Sequence, residues 1–123
     1  VPDDAPVLDE SILADLLAST DGDAAFVREL VETYLADVPV QLAGITDAVA
    51  ANDAAALVRP AHSLKSASLT VGAVRLSGIA RELEMAGRSG ALDASAQSGL
   101  ETARREAEAA SAAMSAWLVR EAG

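Results

Sequence analysis

Apolar residues recur at three- and four-residue spacing along nearly the whole chain, and no segment alternates with period two. A chain patterned this way can bury its apolar stripes only as packed helices. Asp9 is placed to cap a short first helix running to Ala18, with Ile12, Leu13, Leu16 and Leu17 as its apolar residues. Thr20-Asp21-Gly22-Asp23 is a turn, and Asp23 caps a second helix striped by Phe26, Val27, Leu30, Val31, Tyr34 and Leu35. Pro39 interrupts that stripe, which resumes at Leu42, Ile45 and Val49; one kinked helix and two helices in tandem both fit. Asn52-Asp53 ends this segment and caps a third helix, from Asp53 to Val71, which Pro60 should bend. Gly72 suits the left-handed stop after that helix. A fourth helix from Ala73 to Arg88 turns Leu76, Ile79, Ala80 and Leu83 inward, and the short connection makes it an antiparallel neighbour of the third. Ser89-Gly90 breaks it. A last helix from Asp93 to Arg120 carries the seam Leu100, Ala103, Ala107, Ala110, Met114, Trp117 and Leu118. The expected fold class is all-α, an antiparallel four-helix bundle with a short extra N-terminal helix. Phe26, Tyr34 and Trp117, the only aromatic residues, are assigned to its core.

Composition narrows what such a bundle can do. A chain of 123 residues suits one domain with one core. It has no cysteine, so it has no disulfide framework and no thiolate metal site. A formal net charge of −10 argues against nucleic acid and against anionic membrane surfaces, while leaving room for a local basic patch. No apolar run reaches membrane-spanning length and no signal-peptide pattern is present, so a cytoplasmic location without membrane insertion is expected. Val1-Pro2-Asp3-Asp4-Ala5-Pro6 reads as a linker, which sets a segment 1–7 apart from a helical domain over 8–123. A domain of a longer protein and a small free-standing one both fit.

The only histidine, His62, lies in Ala61-His62-Ser63-Leu64-Lys65-Ser66-Ala67-Ser68-Leu69-Thr70-Val71-Gly72-Ala73. At about 100° per residue, Leu57, Ala61, Leu64, Ser68 and Val71 share one stripe, and His62 points roughly 140° away from its centre. An outward histidine one turn before a lysine is placed to react rather than to pack. This stretch resembles the phosphorylation site of histidine-containing phosphotransfer (HPt) domains, whose pattern reads His-x-Leu-Lys-Gly, then small residues, then Gly-Ala. His62, Leu64, Lys65, Gly72 and Ala73 match at the expected spacings. Ser66 departs from the pattern, standing where the family usually has the glycine that lets a partner approach closely; serine, as the next smallest polar choice, should still allow docking.

The resemblance implies a four-helix bundle with the phosphoacceptor outward on its second helix, and a chain that relays phosphoryl groups. It also points to Glu84, because several relatives have Glu or Gln at this offset contacting the imidazole. In a hairpin turning at Gly72, His62 and Glu84 lie ten and twelve residues from the turn, so they can meet. An ion pair of Glu84 with Arg81 or Arg88, or a merely solvated charge, is the competing reading. Imidazole is a good nucleophile near neutral pH, and a carboxylate on one ring nitrogen aims the other. Glu84 is therefore assigned to Nδ1, leaving Nε2 for the phosphoryl group. Lys65, one turn from His62, can pair with phosphoryl oxygens as a mobile point charge, and Ser66 can donate a hydrogen bond to them.

Ala55, Val58 and Leu69 lie within about 40° of His62 around the helix, and Arg59 lies one turn before it. An apolar surround with a basic rim of Arg59, Lys65, Arg75, Arg81 and Arg88 suits an acidic partner. The resemblance implies that this partner is the receiver domain of a response regulator. It also implies a hybrid sensor histidine kinase, on this chain or another. No cofactor of the chain's own is expected; Mg2+ should belong to the receiver, and a monomer is expected. No Gly-rich phosphate loop or kinase motif is present, so the chain is read as a carrier without an ATP site rather than an enzyme. No metal site is assigned, since a single histidine lacks the paired Glu-x-x-His arrangement of metal-binding bundles. The alternative function is a phosphate-independent helical adaptor that only binds receiver or kinase domains.

Overall fold

Aspartates open four of the helices. In the computed structural model of the chain, which describes residues 5–122, Asp9 caps α1 (Glu10–Ser19) by accepting the Ser11 N–H. Asp23 caps α2 (Ala24–Ala50) through the Phe26 N–H, and Asp53 caps α3 (Ala54–Val71) through the Ala56 N–H. Each bond satisfies a backbone donor that the first helical turn leaves unpaired. Gly72 ends α3 at φ 87°, and the Ala73 N–H reaches back to the Ser68 carbonyl at 2.8 Å. That left-handed reversal starts α4 (Val74–Arg88) at once. Asp93 caps α5 (Ala94–Trp117), and Leu118–Ala122 continue it as a wider π turn, so the regular helix stops at Trp117 rather than Arg120.

The four long helices form an antiparallel bundle, and pairs of touching residues give its register. Tyr34 meets Ser68 and Gly44 meets Pro60 between α2 and α3. Leu83 meets Gly99 and Arg75 meets Glu106 between α4 and α5, while Thr46 meets Arg104 between α2 and α5. The helix α1 packs on α2 and α3, and the Asp9 N–H bonds the Gly72 carbonyl at 2.8 Å, tying it to the α3–α4 turn. Of the segment read as linker-like, residues 1–4 lie outside the described residues. Ala5 accepts a hydrogen bond from Arg75, and Val7 packs against the core.

Pro39 does not divide α2, which runs unbroken from Ala24 to Ala50. Val38 and Ile45 on either side of the proline are buried, and that packing outweighs the missing backbone bond. Tyr34 and Trp117 are core residues as expected, but Phe26 is not; it stands 47 % exposed. The buried stripe of α2 runs through Val27, Val31, Tyr34, Val38 and Ile45, and Phe26 sits about 100° off Val27, outside it. Among the described residues, no helix is long and apolar enough to cross a membrane.

Candidate functional site

The site lies on the α3–α4 pair. Leu57, Ala61, Leu64, Ser68 and Val71 are all buried, which turns the His62 side chain outward at 53 % exposure. The α3 helix sits close to α2 here because Gly44 has no side chain: a Cβ there would come within 3.1 Å of the Pro60 ring. Tyr34 and Ser68 share a buried 2.7 Å hydrogen bond on the inner side of α3. Burial raises the Tyr34 pKa, so the tyrosine keeps its proton for that bond.

From α4, Glu84 reaches across to α3. The residue is only 4 % exposed, yet it carries a charge, and three basic side chains surround it. Its Oε2 lies 3.1 Å from His62 Nδ1 and accepts from Arg88 Nε at 3.0 Å and Arg88 Nη2 at 2.7 Å. Its Oε1 lies 2.6 Å from Lys65 Nζ. The lysine contact is a close ion pair off the hydrogen-bonding angle, so among the described residues Oε1 has no aligned donor. The close contact with Lys65, then the hydrogen bonds of Arg88, hold the Glu84 carboxyl at about 2, against an ordinary value of 4.5, with burial opposing them and His62 adding to them. An ionised carboxylate can only accept, so the His62 nitrogen facing it, Nδ1, carries a proton.

Two further features of α4 place that carboxylate. A Cβ on Gly87 would stand 2.9 Å from both the Ala54 carbonyl oxygen and Val58 Cγ2, so only glycine permits this approach of α4 to α3. Ser77, buried on the same face, donates its hydroxyl to the Lys65 carbonyl at 3.1 Å. Neither contact is readable from helical spacing alone. The Arg88 pairing is: it is an i,i+4 neighbour of Glu84. The two competing readings of Glu84, histidine contact and ion pair, hold together.

Ala55, Val58 and Arg59 line one hollow with His62, joined by Ser63 and Arg88. Leu69, also assigned to docking, is 51 % exposed but lies outside the residues that line it. Ser66 is exposed one turn beyond His62, and its carbonyl accepts from the Thr70 hydroxyl. The basic rim is smaller than expected. Arg75 is drawn to the far end of α4, where it bonds the Ala5 carbonyl and pairs with Glu106 at 3.6 Å. Arg81 is exposed on α4. No three His, Cys, Asp or Glu side chains gather as a metal site among the described residues.

The sequence pattern of the Hpt domain family matches residues 29–116, which span both α3 and α4. This chain belongs to the Hpt domain family. Among solved structures, that of histidine-containing phosphotransfer protein B (HptB) from Pseudomonas aeruginosa PAO1 is similar, at 33 % identity and a TM-score of 0.84. The likeness covers 94 % of this chain and 97 % of that one. No curated protein matches. The chain is thus a histidine phosphotransfer module of the phosphorelay kind, in a family of phosphoryl carriers rather than enzymes with ATP sites.

Proposed function

We propose that His62 is the phosphoacceptor of this module, taking a phosphoryl group from a receiver-domain aspartate and passing it to a response regulator. The observation that carries this reading is the 3.1 Å contact of Nδ1 with Glu84, on a histidine whose side chain is 53 % exposed. In the forward step Nε2 attacks phosphorus, the Nε2–P bond forms, and the acyl phosphate O–P bond breaks to release the aspartate carboxylate. Nδ1 keeps its proton throughout. The positive charge that develops on the ring faces the Glu84 carboxylate, and Lys65 and Ser66 meet the phosphoryl oxygens. Return of the group to a second receiver is the reverse step.

Mg2+ and the acidic pocket belong to the receiver, and this chain supplies neither an ATP site nor a metal. Ala55, Val58, Arg59 and Leu69 are the docking residues, with Arg88 beside them. A hybrid kinase is the upstream source. The adaptor reading is not favoured, because a docking surface alone does not require a buried carboxylate behind an exposed imidazole. The test is phosphotransfer from a panel of phosphorylated receivers to wild type and His62→Gln, each shown to be folded. Acid-labile, base-stable label on wild type and none on the variant is expected. Equal label on both would remove His62 from the mechanism.

A further inference from the structure

The two oxygens of Glu84 have different partners, and the difference bears on what happens after His62 is phosphorylated. Among the described residues Oε1 meets only Lys65, the one lysine in the chain, and meets it off the hydrogen-bonding angle. Oε2 meets His62 and receives both Nε and Nη2 of Arg88. A lysine is a compact charge on a flexible stem, whereas the two-pronged guanidinium holds its partner in one orientation. Lys65 and His62 stand on α3, while Glu84 and Arg88 stand on α4 one turn apart. The Arg88–Glu84 pair is therefore internal to α4.

The reading of His62 as phosphoacceptor asks Lys65 to turn from Oε1 to the phosphoryl group. That departure leaves a nearly buried carboxylate short of one counter-charge. Stripped of all counter-charge, such a group takes up a proton or swings out to water, and either change frees His62 Nδ1. Arg88 prevents this, because it compensates the same carboxylate through the other oxygen. Its side chain is 61 % exposed, so it does so without deep desolvation of its own.

We propose that Arg88 is a positioning residue: it fastens Glu84 Oε2 to α4, so that the carboxylate keeps its hold on His62 Nδ1 when Lys65 leaves Oε1. The inference rests on the phosphoacceptor reading, but its first test does not need phosphate. Lys65→Ala imitates the departure of the lysine. The position of the imidazole proton is read by 15N NMR on histidine-labelled chain in wild type, Lys65→Ala, Arg88→Ala and the double variant, with Lys65→Met and Arg88→Gln as a second pair. Circular dichroism confirms the fold of each.

The expected result is that either single variant keeps the Nδ1–H form and the double variant loses it. Loss in Lys65→Ala alone, or retention in the double variant, overturns the proposal. The second test labels the same proteins with phosphoramidate, whose P–N bond breaks to release ammonia as the Nε2–P bond forms. Arg88→Ala should label roughly tenfold more slowly, the size of one charge-assisted hydrogen bond. Leu100→Val, a core change in α5, supplies the comparison for stability alone. Equal slowing in Leu100→Val and Arg88→Ala, with the Nδ1 signal unmoved in both, would make Arg88 merely structural and overturn the proposal. Absence of label on wild type would instead count against the phosphoacceptor reading, and the NMR result would stand separately.

Discussion

A carboxylate that is nearly buried and still ionised makes a protein sensitive to acid. Glu84 is held at about 2 in the fold by Lys65 and Arg88, whereas an ordinary glutamate takes its proton near 4.5. Above 4.5 its contribution to stability is fully present. As pH falls from there towards 2, the unfolded chain binds a proton that the folded chain refuses, and stability drops. Wild type should therefore lose melting temperature across this window. Glu84→Gln should start lower at neutral pH and fall less steeply between 4.5 and 2. Thermal melts of both proteins across that range check it, and parallel curves would show that Glu84 is not the group responsible. The role proposed for His62 depends on the same carboxylate, which engages its ring at Nδ1.

Between elements, the spacing of α3 and α4 decides whether those side chains meet. The His62–Glu84 contact of 3.1 Å already lies at the long end for an N–H···O bond, so a small separation of the helices would break it. Gly87 permits the present spacing, and in the last turn of α4 it costs at most about 1 kcal/mol in helix propensity. Gly87→Ala regains that amount but forces a methyl against the Ala54 carbonyl, and overpacking of this kind costs about 1–3 kcal/mol. The expected outcome is net destabilisation in urea, together with loss of the imidazole Nδ1–H signal as α4 is pushed away. A stabilised variant with an unchanged signal would show that the helices have room to spare. The opposite case is Pro39, a helix breaker that the bundle overrides because the residues on both sides of it are packed.

At the scale of the whole molecule, α1 and the last turns of α5 join the bundle to its ends. Leu13 is buried under α1, Arg120 pairs with Glu10 at 2.9 Å, and Trp117 and Leu118 close the core. Trp117 is the only tryptophan and is 2 % exposed, so its fluorescence reports the core directly. One core of this size should unfold in one step. Trp117 emission and helical circular dichroism are expected to change together in urea, and separated midpoints would show that the α5 end melts on its own. Charge is unevenly spread as well: the chain carries −10 overall, yet Arg59, Lys65 and Arg88 gather around His62. An acidic partner is repelled by the net charge and attracted at this face, which favours docking there.

Much of this was written in the sequence, because it depends on neighbours along the chain. Aspartate caps, the glycine stop at Gly72 and the three-to-four spacing set the helices. The same spacing buried Leu57, Ala61, Leu64, Ser68 and Val71 and so turned His62 outward. Hairpin arithmetic about Gly72 brought Glu84 within reach of it. What depended on approach between helices was settled only in three dimensions. The stripe of α2 passes beside Phe26 rather than through it, and Arg75 turns to Glu106 instead of the His62 face. The tertiary structure also gathered His62, Lys65 and Arg88 on a single buried carboxylate. Periodicity specifies which way a side chain points from its own helix. How closely two helices pack, and therefore which charges share a partner, depends on small residues such as Gly87 whose role appears only when both backbones are in place.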